Sequence, residues 1–371
     1  MTASATRGTV LIMAAGTGGH IFPALSIARN LQSRGYRTEW LGTPTGLEVD
    51  VLRNTDIVLH RINARGLRGK SRLSVLTAPF MLIRALLQSL QVLRRVQPCC
   101  VLGMGGYVTG PGGLAARLTG RALLIHEQNA IAGFSNRLLA RIATCVMEAF
   151  PGTFEPRIGA ISTGNPVRME IRALPLPQQR ATAVDGRLRV LVLGGSLGAV
   201  AINRLMPQML QLLDPAQRPL LRHQVGRNNL DQAREAYVQA GMALDEQCQV
   251  LPFIDDMAAA YDWADLVICR AGATTVCEIA AAGKPAIFIP YPHAVDDHQT
   301  HNARWLGNAG AAVLIQQCDL DAQGLAALLQ EFSRDRARLL AMAIAARALA
   351  RPEACDLVSE QCIKACGAAA Q

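Results

Sequence analysis

The sequence has no acidic residue between Asp56 and Glu127. That gap holds Arg61, Arg65, Arg68, Lys70, Arg72, Arg84, Arg94, Arg95, Arg117 and Arg121. The chain has 37 basic and 28 acidic residues, a net charge of +9. Taking the ten away leaves 27 basic residues against 28 acidic, so one segment carries the whole excess. Such a segment suits an anionic partner; its plainer reading is a solvated loop followed by a core helix. Aromatic residues make up only 4% of the chain, and no nucleic-acid reading module is present, which argues against a nucleic-acid binder. None of the ten cysteines forms a C-x-x-C pair, so neither a zinc site nor a disulfide framework is expected, and the thiols read as free and buried. No stretch of about 20 apolar residues lacks a charge; the best, Leu73 to Leu93, contains Arg84 and two glutamines, so no segment is expected to span a bilayer. The run Val10 to Ala15 is short and ends in a Gly-rich turn, so it reads as a buried strand rather than a signal peptide.

What is there points to an α/β protein. The chain has 371 residues, 50% of them hydrophobic and 18% charged, with 32 glycines, which suggests two domains or three. The pattern is strand, Gly-rich turn, helix, strand. It runs first from Thr9–Ala14 through Gly16–Gly19 into a helix over Ile21–Gln32, with the next strand at Thr38–Leu41. It restarts about 180 residues later, with a strand over Leu188–Leu193, a turn over Gly194–Gly198 and a helix over Ala199–Leu213. The expectation is two doubly wound, Rossmann-like domains facing a cleft, joined near Gly164–Arg168: residues 1–167, then 168–349, with a C-terminal helix over about 350–371 packing back on the first.

Four motifs carry chemistry. Gly16-Thr17-Gly18-Gly19-His20 follows a strand and opens a helix, where free N–H groups and a partial positive charge meet an anion. A dinucleotide site fits poorly, because Ile21 replaces the third glycine of G-x-G-x-x-G and no acid ends the second strand. His20 at this helix start can serve as a general base; capping or packing is the plainer role. Gly194-Gly195-Ser196-Leu197-Gly198 repeats the device, with Ser196 able to donate to a phosphate. In Arg270–Glu278, Thr274 and Thr275 lie in the first turn of a helix and Glu278 follows one turn later on the same side. An anion-binding turn beside a ribose-binding acid describes a nucleoside diphosphate site. His126-Glu127-Gln128-Asn129 follows an apolar strand and forms a dense polar cluster. The His293–Asn302 segment matches no common zinc spacing, so no metal is expected there; Gln299 can reach a sugar hydroxyl. Arg61–Arg72 is a Gly- and Arg-rich loop, and the helix after it has almost no polar face, a pairing suited to an anionic membrane surface.

Taken in order over nearly the whole chain, these motifs, with Gly103-Met104-Gly105-Gly106-Tyr107 and Gly164-Asn165-Pro166-Val167-Arg168, resemble the MurG family. Its members are UDP-N-acetylglucosamine:undecaprenyl-pyrophosphoryl-muramoyl-pentapeptide N-acetylglucosaminyltransferases of peptidoglycan synthesis. The resemblance implies a GT-B fold, an inverting transfer without metal or other cofactor, and peripheral attachment to the cytoplasmic face of the bacterial cell membrane. It also implies nucleotide-sugar contacts at Thr17, Gly18, Gly19, Asn129, Arg168, Ser196, Ile254, Ala273, Thr274, Thr275, Val276, Cys277, Glu278 and Gln299. On that reading His20 is the base that takes the acceptor's proton, with Glu127 as alternative or orienting partner. Membrane and acceptor contacts are expected at Arg65, Arg68, Lys70, Arg72, Leu76, Phe80, Ile83 and Tyr107. The expected partners are UDP-N-acetylglucosamine, a polyprenyl-pyrophosphoryl lipid and an anionic membrane surface, with no nucleic acid. Another GT-B glycolipid synthase or a UDP-sugar 2-epimerase is the alternative. Ala15 stands where the family usually has glycine, and Ile131-Ala132 replace a usual Val-Pro.

Overall fold

A computed structural model describes residues 7–64, 72–180, 186–195 and 199–369. They divide into two compact units, Met1–Val167 with Arg351–Gln371, and Arg168–Ala350.

The first unit is built on seven strands: β1 (Thr9–Met13), β2 (Arg37–Gly42), β3 (Val58–Arg61), β4 (Cys100–Gly103), β5 (Ala122–Glu127), β6 (Cys145–Glu148) and β7 (Ile161–Ser162). They lie in the order β3-β2-β1-β4-β5-β6-β7 and are all parallel. The helices are α1 (Gly18–Ser33), α2 (Leu47–Leu52), α3 (Arg72–Val96), α4 (Thr109–Leu118), α5 (Phe134–Leu139) and, from the C-terminal end of the chain, α14 (Ala354–Ala369). Parallel strands covered on both faces read as continuous apolar runs. The run Val10 to Met13 is completely buried for that reason. Alternate side chains leave opposite faces of the sheet. Val10, Ile12 and Ala14 join α1 and the α14 residues Cys355, Val358 and Cys362, whereas Leu11 and Met13 join Ala85 and Leu93 of α3. Truncating Ile12 to alanine would cost about 2–5 kcal/mol.

The second unit repeats the plan. Strands β8 (Arg189–Leu193), β9 (Leu220–Gln224), β10 (Cys248–Leu251), β11 (Leu266–Cys269), β12 (Ala286–Phe288) and β13 (Ala312–Leu314) form a parallel sheet ordered β10-β9-β8-β11-β12-β13. Around it lie α6 (Met169–Arg172), α7 (Val200–Leu212), α8 (Leu230–Gln239), α9 (Met257–Trp263), α10 (Ala273–Ala282), α11 (His298–Gly307), α12 (Ala322–Arg334) and α13 (Arg336–Ala348).

In each sheet the chain reverses direction between the first strand and the fourth, and such switch points take ligands beyond the strands' carboxyl ends. Register sets the two ends level. Met13 pairs with Gly103 across β1 and β4, and Leu193 with Cys269 across β8 and β11. Both switch points are therefore flanked by the Gly-rich turns that the sequence singles out.

Three observations depart from the sequence reading. Helix α1 starts at Gly18 rather than Ile21, which puts His20 inside its first turn. Strands β3, β6 and β7 are additional. The expectation of ten free thiols fails at one pair, since Cys99 and Cys366 form a disulfide across a sequence separation of 267. Packing of α14 beside β4 brings their Cα atoms to 4.7 Å, within the usual range for a bridge. The other eight cysteines are free.

Candidate active site

In the first unit the chain leaves β1 through the exposed Gly16, whose φ of +99° suits only glycine. Thr17 precedes α1, and its carbonyl accepts from the N–H groups of His20 (3.1 Å) and Ile21 (3.3 Å). No side chain caps this helix, and no acid sits in its first turn. The turn after β4 comes up beside it, tied by Met104 N–H to Met13 O at 2.8 Å. A Cβ on Gly105 would lie 2.6 Å from His20 Nδ1, and one on Gly106 would lie 2.2 Å from the Ala15 carbonyl oxygen. Both positions need glycine, because the imidazole and the Ala15 backbone occupy that space.

A buried polar chain leads away from His20. Its Nδ1 is 2.7 Å from Gln128 Oε1. Gln128 Nε2 donates to the His126 carbonyl (3.0 Å) and faces His126 Nδ1 (3.1 Å). His126 Nε2 is 2.9 Å from the Gly164 carbonyl. Burial pushes the His126 imidazole down to about 4, against the opposing pull of the Gly164 carbonyl and the Glu127 charge, so it is neutral at pH 7.

Glu127 does not join this chain. Its Oε1 accepts from Asn129 N–H (3.0 Å) and Asn129 Nδ2 (3.2 Å), and its Oε2 from Gly133 N–H (3.0 Å) and Asn136 Nδ2 (2.9 Å). The carboxylate holds the loop from Gln128 to Gly133 in shape. Asn129 is bound into the same loop, and its carbonyl accepts from Thr153 Oγ1 at 3.2 Å. Thr17 is exposed and Tyr107 is 56% exposed.

On the same unit α3 splits into two faces. Ala85, Ser89 and Leu93 are buried, while Phe80 (77%), Leu82, Ile83 (56%) and Leu87 lie open beside the exposed Arg84. Leu114 and Leu118 of α4 and Phe134 and Leu138 of α5 are exposed too. Arg65, Arg68 and Lys70 lie outside the described residues, as do the side chains of Arg72 and Leu76.

In the second unit, Gly194 and Gly195 end β8, and Ser196 lies outside the described residues. Helix α10 opens at Ala273 with neither a side-chain cap nor an acid in its first turn. Thr274 and Thr275 are half-buried there, whereas the side chains of Ala273, Val276 and Cys277 are buried, so those three can offer a ligand only backbone groups. Glu278 is 6% exposed and already partnered. Arg168 reaches its Oε1 with Nε (3.1 Å) and Nη2 (2.7 Å), and Tyr261 donates to its Oε2 (3.2 Å). Burial raises the Glu278 carboxyl, and Arg168 draws it back. The structure thus joins two residues that the sequence reading assigns separately, and it adds Tyr261, which carries no local sequence signal.

Arg270 serves the following loop, donating to the carbonyls of Ile289 (3.0 Å) and Pro290 (2.9 Å) and to Gln317 Oε1 (2.6 Å). Gln299 Oε1 accepts from Tyr291 N–H at 2.9 Å. Just before α11, Asp296 and Asp297 adopt φ values of +52° and +50°, a strained pair for non-glycine residues. Ile254 is half-buried after β10, next to the exposed Phe253.

Residues 10–148 match the glycosyltransferase family 28 N-terminal domain and residues 189–358 the glycosyltransferase family 28 C-terminal domain. The UDP-N-acetylglucosamine--N-acetylmuramyl-(pentapeptide) pyrophosphoryl-undecaprenol N-acetylglucosamine transferase of Marinobacter nauticus is 53% identical over 97% of this chain and 98% of its own. The chain belongs to the MurG family. A transferase of the same name from Azotobacter vinelandii is 53% identical over 96% of this chain. The crystal structure of Acinetobacter baumannii MurG superposes with a TM-score of 0.82 at 42% identity, covering 96% of this chain and 99% of that one. The calicheamicin glycosyltransferase CalG4, at 14% identity and a TM-score of 0.68, shares the fold. As a MurG-family member the chain is an N-acetylglucosaminyltransferase of α/β architecture with two parallel-sheet, Rossmann-like domains.

Proposed function

We propose that this enzyme moves N-acetylglucosamine from UDP-N-acetylglucosamine to the 4-hydroxyl of the muramoyl sugar in a polyprenyl-pyrophosphoryl-muramoyl-pentapeptide. The observation that carries the reading is 53% identity, over nearly the full length of both chains, to transferases of that name. The acceptor oxygen attacks the anomeric carbon opposite the diphosphate. A new C–O bond forms, the bond to the β-phosphate oxygen breaks, UDP leaves, and the linkage inverts to β1,4.

The first unit takes the acceptor. His20 receives the hydroxyl proton, a step worth typically 10²–10⁴-fold. His20 is favoured over Glu127 because the Glu127 carboxylate is fully occupied by four donors of its own loop. The second unit takes the donor. The uncapped start of α10 and the half-exposed Arg168 face the charge that develops on departing UDP, in place of a metal. Glu278 fixes the ribose, and the backbone around Ile254 reads the base. Thr17, Gly18, Gly19, Asn129, Ser196 and Gln299 complete the nucleotide-sugar contacts.

The enzyme works at the cytoplasmic surface of the cell membrane. The open apolar face of α3 beside an acid-free, Arg-rich segment supports this, and no helix among the described residues is long and apolar enough to cross a membrane. Release of UDP from UDP-N-acetylglucosamine, with and without a lipid-pyrophosphoryl-muramoyl-peptide analogue, tests the function. Release should require the acceptor. Release together with free sugar and no lipid would instead identify a 2-epimerase.

A further inference from the structure

Two backbone carbonyls fix every donor and acceptor in the polar chain behind His20, because a carbonyl oxygen only accepts. The Gly164 oxygen, 2.9 Å from His126 Nε2, requires the proton on that nitrogen. His126 is completely buried and neutral, so its Nδ1 holds a lone pair. The His126 carbonyl oxygen, 3.0 Å from Gln128 Nε2, requires the amide nitrogen there, and the same nitrogen supplies His126 Nδ1 at 3.1 Å. The reversed amide would set its oxygen against a carbonyl oxygen and a ring lone pair. Gln128 therefore presents Oε1 to His20, and the nitrogen 2.7 Å away, Nδ1, must carry the proton. In neutral His20 the lone pair is then left on Nε2.

We propose that His126 and Gln128 are positioning residues that hold His20 in the Nδ1–H tautomer, so that Nε2 stands ready to take a proton. This rests on the reading of His20 as the general base. The chain is rigid. Gln128 is 1% exposed and His126 fully buried, so water does not compete for their bonds. The ring of His20 is pressed against Gly105, at a distance that leaves no room for a Cβ. The amide oxygen accepts from Nδ1–H equally well after Nε2 is protonated, so the proton transfer requires no rearrangement behind the ring. An amide accepts from His20 and donates to His126 at once. A carboxylate at position 128 would accept from His20, but it could not donate to His126.

Nitrogen NMR of the full chain labelled with ¹⁵N-histidine tests this at pH 8, with the His20 signals assigned by their loss in His20→Gln. Expected is His20 protonated at Nδ1 and His126 protonated at Nε2. In Gln128→Met the His20 preference for Nδ1–H should disappear and kcat should fall roughly tenfold or more, with KM for UDP-N-acetylglucosamine within about twofold of wild type. Gln128→Glu should keep His20 in the Nδ1–H form, because its carboxylate still accepts. Wild-type His20 protonated at Nε2 overturns the proposal, and so does Gln128→Met with the wild-type tautomer and kcat. If His20→Ala keeps its turnover while the wild-type spectrum shows the expected tautomers, the base reading falls and the tautomer assignment stands.

Discussion

Arg168 lays its guanidinium on Glu278, with Nε and Nη2 at 3.1 and 2.7 Å from a single carboxylate oxygen. The arginine is the first residue of the second unit and the glutamate lies 110 residues later, yet they form one ion pair. The Arg168 side chain is 43% exposed, and the proposed function sets a phosphate of UDP on its open side. Arg168→Ala removes that side and strips the buried acid of its charged partner. A hydrogen bond to a charged group is worth about 1.5–3 kcal/mol, so the Kd for UDP should rise roughly 10- to 100-fold. Tyr261→Phe removes only the bond to the other oxygen and should change Kd by less than about fivefold. Titration calorimetry of both variants separates the two effects.

Acid should weaken each unit through one buried histidine. Burial holds His126 down to about 4 in the first unit and His223 down to about 3 in the second, against 6.5 for the free side chain. Below 6.5 the unfolded chain binds a proton that the folded chain refuses, so stability is complete above pH 6.5 and is lost as pH falls toward 4 for His126 and toward 3 for His223. At 1.36 kcal/mol per pH unit, each histidine removes about 2 kcal/mol by pH 5. Urea unfolding at pH 7.5 and pH 5 measures the loss. His223→Gln should flatten the pH dependence of the second unit, at some cost in absolute stability, because His223 bonds Tyr237 (2.8 Å) and Asn203 (3.1 Å).

Glycine at position 105 is required twice over. Its φ is +106°, and an added Cβ would strike the His20 ring. Gly105→Ala should lower kcat about as far as loss of the base does, while the Kd for UDP, whose proposed pyrophosphate and ribose contacts lie on the second unit, changes little. Parallel measurement of kcat and of the Kd for UDP decides it.

Membrane attachment should divide cleanly from nucleotide binding. Phe80→Asp with Ile83→Asp places charge on the open face of α3, and reversal of Arg65, Arg68 and Arg72 to Glu removes attraction to anionic lipid, worth about 1 kcal/mol per charge. Either set should reduce sedimentation with anionic vesicles and leave UDP affinity unchanged. Equal loss of both properties would contradict the division.

The parts legible in the sequence are those whose physics is local. The buried runs before Gly16 and Gly194 show β1 and β8 because strands covered on both faces must be apolar throughout, and Leu266–Cys269 shows β11 to the residue. Strands β3 and β7 escape because they are short and lie at the two edges of their sheet, one carrying His60 and Arg61 and the other only two exposed residues. The start of α1 escapes because Gly18-Gly19 reads as a turn and has poor helix propensity. The site residues stand out by type. Their partnerships do not, since Gln128 meets His20 across 108 positions and Cys366 meets Cys99 across 267. Such pairings are set by the strand order and by where α14 packs on the sheet, which no local pattern encodes.

The decisive measurement is the turnover of His20→Ala at saturating lipid acceptor, with UDP affinity measured in parallel. If His20 takes the hydroxyl proton, kcat falls by about 10²–10⁴ while the Kd for UDP stays at its wild-type value. Turnover within a few-fold of wild type would contradict that assignment.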